Sequence, residues 1–125
     1  MEATLSVPNA IIFLYDLVSK DIQVPEYIDN VLVAANEKCI SVGTQADVDV
    51  DGDVTIRLSS QIDDPDKNSC EQVFDGLIST PGKKLAVSTS EDDAILQVDV
   101  KGEKTQVFVW VDDSDFPGLV LIETQ

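Results

Sequence analysis

Histidine is absent from this 125-residue chain, and eight side chains are basic against 24 acidic. The first absence removes the commonest general base and the commonest metal ligand. The second leaves a formal charge of −16, so contact with DNA, RNA or an anionic membrane surface is opposed by Coulomb repulsion. Cysteine is scarce too: Cys39 and Cys70 do not make a disulfide framework, and both read as small buried hydrophobes. No apolar run approaches the ~18 residues of a membrane span. The opening MEATLSVP lacks the basic start and apolar stretch of an export signal, so a cytoplasmic location is expected. No glycine motif for phosphate is present, and Ser59-Ser60 and Ser88-Thr89-Ser90 have no histidine to activate them. The expectation is a protein that is not an enzyme and takes no cofactor.

What is present is apolar material. Leu, Ile, Val and Phe account for 41 residues, about a third of the chain, well above the ~20% that marks disorder. Length and composition predict a single domain over residues 1–125. Strand-like runs recur with turn residues between them: Ala10–Val18, Cys39–Gly43, Ala46–Val50, Val54–Ser59, Leu85–Ser88, Ile95–Val100, Thr105–Val111 and Leu119–Glu123. The first, AIIFLYDLV, reads as buried on both faces. The spacing predicts an all-β (β-rich α+β) fold, an antiparallel β-sandwich of about seven or eight strands. One short helix is expected near residues 25–36, where Ile28, Val31, Leu32 and Ala35 fall on one helical face behind Pro25; the Val31-Leu32-Val33 centre would also suit a strand. Ser69–Leu77 reads as a helical turn capped by Ser69 and ended by Gly76.

Asp47, Asp49, Asp51 and Asp53 alternate with Val48, Val50 and Gly52, the opening of a calcium-binding loop. The bidentate carboxylate such a loop needs at its twelfth position falls on Leu58, so these four are candidate metal ligands only for weak binding. A hairpin fits better. A three-residue loop, Asp51 to Asp53, pairs Val50 with Val54, Val48 with Ile56 and Asp47 with Arg57, keeping each face chemically uniform. A second hairpin is expected at Lys101-Gly102-Glu103. In the strand that follows, Phe108 and Trp110 share one face and Val107, Val109 and Val111 the other, which places that strand centrally and Trp110 in the core.

The remaining carboxylates gather in predicted turns: Asp63, Asp64 and Asp66; Glu91, Asp92 and Asp93; Asp112, Asp113 and Asp115. Turn propensity explains each cluster singly. It does not explain so large a net charge, which attracts basic partners and speeds their association. These nine residues are the candidate partner-binding set. The partner expected is a basic protein, a nuclease or toxin whose phosphate-binding cleft the acidic surface would occlude.

The layout resembles the competence protein J family, small bacterial inhibitors of a DNA-entry nuclease, and related bacterial immunity proteins. The shared order starts with Leu5-Ser6-Val7, Phe13-Leu14-Tyr15 and Val24-Pro25-Glu26-Tyr27. It continues through Ile40-Ser41-Val42, Arg57-Leu58-Ser59-Ser60, and Pro81-Gly82 before Leu85-Ala86-Val87-Ser88. It ends on Lys101-Gly102-Glu103 leading into Val107-Phe108-Val109-Trp110. The resemblance implies a non-enzymatic cytoplasmic inhibitor whose acidic residues block a nuclease, as in a toxin–antitoxin pair. It assigns that role to no particular aspartate. Two other classes fit the composition: an acidic interaction protein such as a secretion chaperone or a phage-encoded nucleic-acid mimic, and a calcium-dependent binding module.

Overall fold

A computed structural model describes residues 1–7, 10–18, 22–25, 31–44, 53–62, 67–90, 94–114 and 117–125. They form ten strands: β1 (Glu2–Ser6), β2 (Ile11–Asp16), β3 (Val33–Ala35), β4 (Cys39–Gly43), β5 (Asp53–Ser59), β6 (Glu71–Ser79), β7 (Lys84–Thr89), β8 (Leu96–Asp99), β9 (Lys104–Val111) and β10 (Leu119–Thr124). Sheet I has the order β1-β5-β10-β9-β6 and sheet II the order β3-β4-β2-β7-β8. Neither closes into a barrel. All pairings are antiparallel except β5 with β10, so sheet I is mixed rather than antiparallel throughout. No helix among the described residues is long and apolar enough to cross a membrane.

Alternation builds the core. Val54, Ile56 and Leu58 on β5, Val107, Val109 and Val111 on β9, and Val120 and Ile122 on β10 point inward from sheet I. They meet Ile12, Leu14, Ile40, Val42, Leu85 and Val87 from sheet II in one buried cluster. Period-2 spacing puts every one of these side chains on the same face of its strand.

Several expectations change. β2 is not buried on both faces: Ile12, Leu14 and Asp16 are buried while Phe13 and Tyr15 are half-buried on the outer side. The helix over 25–36 gives way at its C-terminal part to β3, and residues 26–30 lie outside the described set. β-Branched valine favours the extended form there, and Asn36 ties β3 to β4 by accepting the N–H groups of Lys38 and Cys39 at 2.8 and 2.9 Å. The helical turn over Ser69–Leu77 is replaced by β6, where the ring of Phe74 lies over Gly76, 2.8 Å from where a Cβ would sit, so a larger residue there would have to displace that ring.

Both predicted hairpins fail for one reason, which is that neighbours in space come from elsewhere in the chain. Residues 45–52 lie outside the described set, but Ile56 is flanked by Ala3 of β1 and Val120 of β10, which leaves no lateral place for Val48. Arg57 stands opposite Glu2 in the β1–β5 ladder, with Nε 3.5 Å from its carboxylate. The Lys101-Gly102-Glu103 turn crosses from β8 in sheet II to β9 in sheet I, so it joins sheets rather than paired strands. β9 is interior as expected, yet Trp110 sits on its outer face, half-buried, and not in the core.

Candidate functional site

The strand registers sort the charged residues by end. Ser6 lies beside Asp53, Glu71 beside Val111, and Val111 beside Val120, so these strand termini emerge together from sheet I. The short link from β1 to β2 brings the starts of β2 and the ends of β4 and β7 to the same side, held by Thr44 N–H on the Ala10 carbonyl at 2.9 Å. Asp53, Glu71, Asp112 and Asp113 are exposed there. Among the described residues this end carries no lysine or arginine. The opposite end carries Lys38, Lys83, Lys84, Lys101 and Lys104, with Glu37, Asp99 and Glu103 between them. Among the described residues, then, charge is polarised between the two ends.

Of the nine predicted partner-binding residues, Asp112 and Asp113 are described and share this acidic end; Asp63, Asp64, Asp66, Glu91, Asp92, Asp93 and Asp115 lie outside the described set. Asp112 has a local task as well. One of its oxygens accepts the N–H groups of Gly118 at 3.0 Å and Leu119 at 3.1 Å, closing the β9–β10 loop. Of the predicted metal ligands, Asp47, Asp49 and Asp51 are outside the described set, and Asp53 accepts the Ser6 hydroxyl at 3.1 Å. Among the described residues no three acidic or sulfur side chains gather as a metal site. Sequence reasoning missed Glu71, hidden in a stretch read as helix. It also missed the lysine-bearing end, although Lys83-Lys84 and Lys101–Lys104 flank two of the connections that pass between sheets, β6–β7 and β8–β9.

A further ionised pair lies on the outer face of sheet I. Glu123, with 5% of its side chain exposed, has one oxygen 2.5 Å from Lys67 Nζ and the other accepting from Gln125 at 3.0 Å. Burial pushes its carboxyl up, but Lys67, Gln125 and the Ile62 backbone favour the anion more strongly, leaving it below the usual glutamate range. The same ammonium lies 4.9 Å from the Trp110 ring centre, and Phe108 stacks beside that ring at 5.9 Å. On the outer face of sheet II, Phe13, Tyr15, Ile22, Val24, Cys39 and Ser88 line an open cavity of about 340 Å³. Burial pushes the Cys39 thiol up to about 11. Cys39 is buried as expected, whereas Cys70 is partly exposed.

A solved structure, that of ComJ, inhibitor of the DNA degrading activity of NucA, from Bacillus subtilis, matches this chain with a TM-score of 0.74. The match covers 99% of this chain and 93% of that one at 15% identity, so the likeness is one of fold. It agrees with the layout resemblance drawn from the sequence. No family model matches the chain, and no curated protein matches it in sequence.

Proposed function

We propose that this protein, which shares its fold with a nuclease inhibitor, is itself a non-enzymatic inhibitor of a basic nuclease, acting in the cytoplasm of a bacterium. The observation that carries the reading is the segregation of charge. Asp53, Glu71, Asp112 and Asp113 stand at one end with no described cation, and five lysines stand at the other. Nucleases bind phosphate through basic clefts, and an acidic end fills such a cleft without offering a bond to cleave. Lys67 and Arg57 do not blunt that field, since each is engaged with a carboxylate of its own face. We extend the contact set to Glu91, Asp92, Asp93 and Asp115, and to Asp63, Asp64 and Asp66.

The test uses the protein as bait in a lysate at low salt, with the retained protein assayed for DNA degradation. A single basic nuclease should be retained and inhibited, with association slowing as salt rises and the Debye length shrinks to about 8 Å. Charge reversal by Glu71→Lys with Asp113→Lys should raise Kd about a hundredfold, on the scale of interface hot spots, while Lys84→Glu with Lys101→Glu leaves it unchanged. A reversed protein that folds and inhibits as before sinks the reading.

A further inference from the structure

Strand β6 ends sheet I, and its free edge can be mapped residue by residue. Gln106 of β9 spends both backbone groups on Gln125, donating at 3.3 Å and accepting at 2.9 Å. Leu77 stands opposite Gln106, so that pair exchanges no hydrogen bonds and the N–H and C=O of Leu77 point away from the sheet. By the same alternation Asp75 and Ser79 also point outward. Ser79 confirms it: its N–H donates to the Glu37 carbonyl at 2.7 Å, outside the ladder. Asp75 and Leu77 have no such partner among the described residues. The open edge is thus bounded, by the Glu37 cap at one end and by the bulge between Gln72 and Phe74 at the other.

The side chains along this edge are also legible. Leu77 is an apolar side chain that is 58% exposed. Glu71 and Asp75 are exposed on the same strand, which carries no cation, and Asp75 accepts from Gln106 across the sheet. A second copy of this chain is a poor occupant, because each copy brings a formal charge of −16. We propose that β6 accepts one extended strand of a basic protein. Main-chain hydrogen bonds go to Asp75 and Leu77, a lysine or arginine faces Asp75, and an apolar side chain covers Leu77. The proposal deepens the inhibitor reading by naming how the partner is gripped, and its test stands without the nuclease.

The probe is a capped seven-residue peptide with threonine at every second position and lysine and valine taking turns between them, so that lysine and valine two residues apart on one face can stand opposite Asp75 and Leu77; it is titrated into the isotope-labelled protein. Amide exchange at Asp75 and Leu77 should slow about tenfold at saturation, ahead of any other exposed amide. Leu77→Pro removes an N–H that faces solvent, not the ladder, so the variant keeps its sheet and should bind about tenfold more weakly. Leu77→Lys, which sets a like charge against the peptide without touching the backbone, should weaken it similarly. Peptide binding that leaves both amides unprotected overturns the proposal, as does undiminished binding by the folded variants. If the variants lose the peptide yet inhibit the retained nuclease like wild type, strand addition by that nuclease is refuted and the acidic-end reading stands. If wild type inhibits no nuclease, that reading alone falls.

Discussion

The two outer faces of the molecule are each crossed by a connecting segment, and the two are fastened by opposite chemistry. On sheet I the connection from β5 to β6 is pinned through Lys67, which meets a buried carboxylate and an indole ring. On sheet II the connection from β2 to β3 places Ile22 and Val24 around the same open cavity as Phe13, Tyr15 and a thiol, and its closing hydrogen bond runs from the Asn36 amide to the Gln23 carbonyl at 2.8 Å. One face is held by charge taken out of water, the other by apolar contact and neutral hydrogen bonds. The first is strong only while both partners are present and ionised. The second has no such condition.

The comparison is broken most severely by Lys67→Met, which strands Glu123 as a buried, unpaired anion. About 3 kcal/mol or more of stability should be lost in urea unfolding followed by the fluorescence of Trp110. Adding Glu123→Leu should restore wild-type stability or exceed it, making the first face resemble the second; a double variant as weak as the single one would show that the pair is not the fastening. Asn36→Ala removes three hydrogen bonds at the exposed edge of the second face and should cost about 1 kcal/mol by the same measurement.

Acid acts more gently, because protonation leaves the side chain in place. The Glu123 carboxyl is held below its usual 4.5, so its contribution is complete above that value and is lost as pH falls through the lower folded-state value. Stability below pH ~4.5 should therefore decline less steeply in Glu123→Gln than in wild type, and equal slopes would remove Glu123 from the account. The smallest effect leaves stability untouched. At pH 8 a disulfide reagent should label Cys70 well before Cys39, whose thiol is buried and raised to about 11. Early labelling of Cys39 would mean that the second face opens readily.

Much of this fold was legible in the sequence where side chains alternate. β4, β5, β9 and β10 were placed to within a residue because their inward positions are valine, isoleucine or leucine and their outward ones are mixed. β6 was hidden for a physical reason: the bulge after Gln72 shifts the period, and Gly76 occupies an inward position without an apolar side chain. β3 was masked by the accident that Ile28, Val31, Leu32 and Ala35 also fit a helix face. The neighbours of β5 could not be read locally at all, since β1 and β10 come from distant parts of the chain. For the candidate site, the charge total was visible and its segregation was not. Which end a lysine occupies depends on strand direction, and direction follows from pairing.

Strand β10 lies between β5 and β9, joining the β1–β5 pair to the β9–β6 pair. On a ribosome, those two halves of sheet I emerge first and have no edge in common until Leu119–Thr124 is released. For that interval the chain shows naked strand borders to its surroundings, a window in which chaperones compete with aggregation. Sheet I is thus joined only by the last of the ten strands, and a nascent chain stalled short of Leu119 would be left with two unconnected halves of that sheet beside a sheet II whose strands are all present.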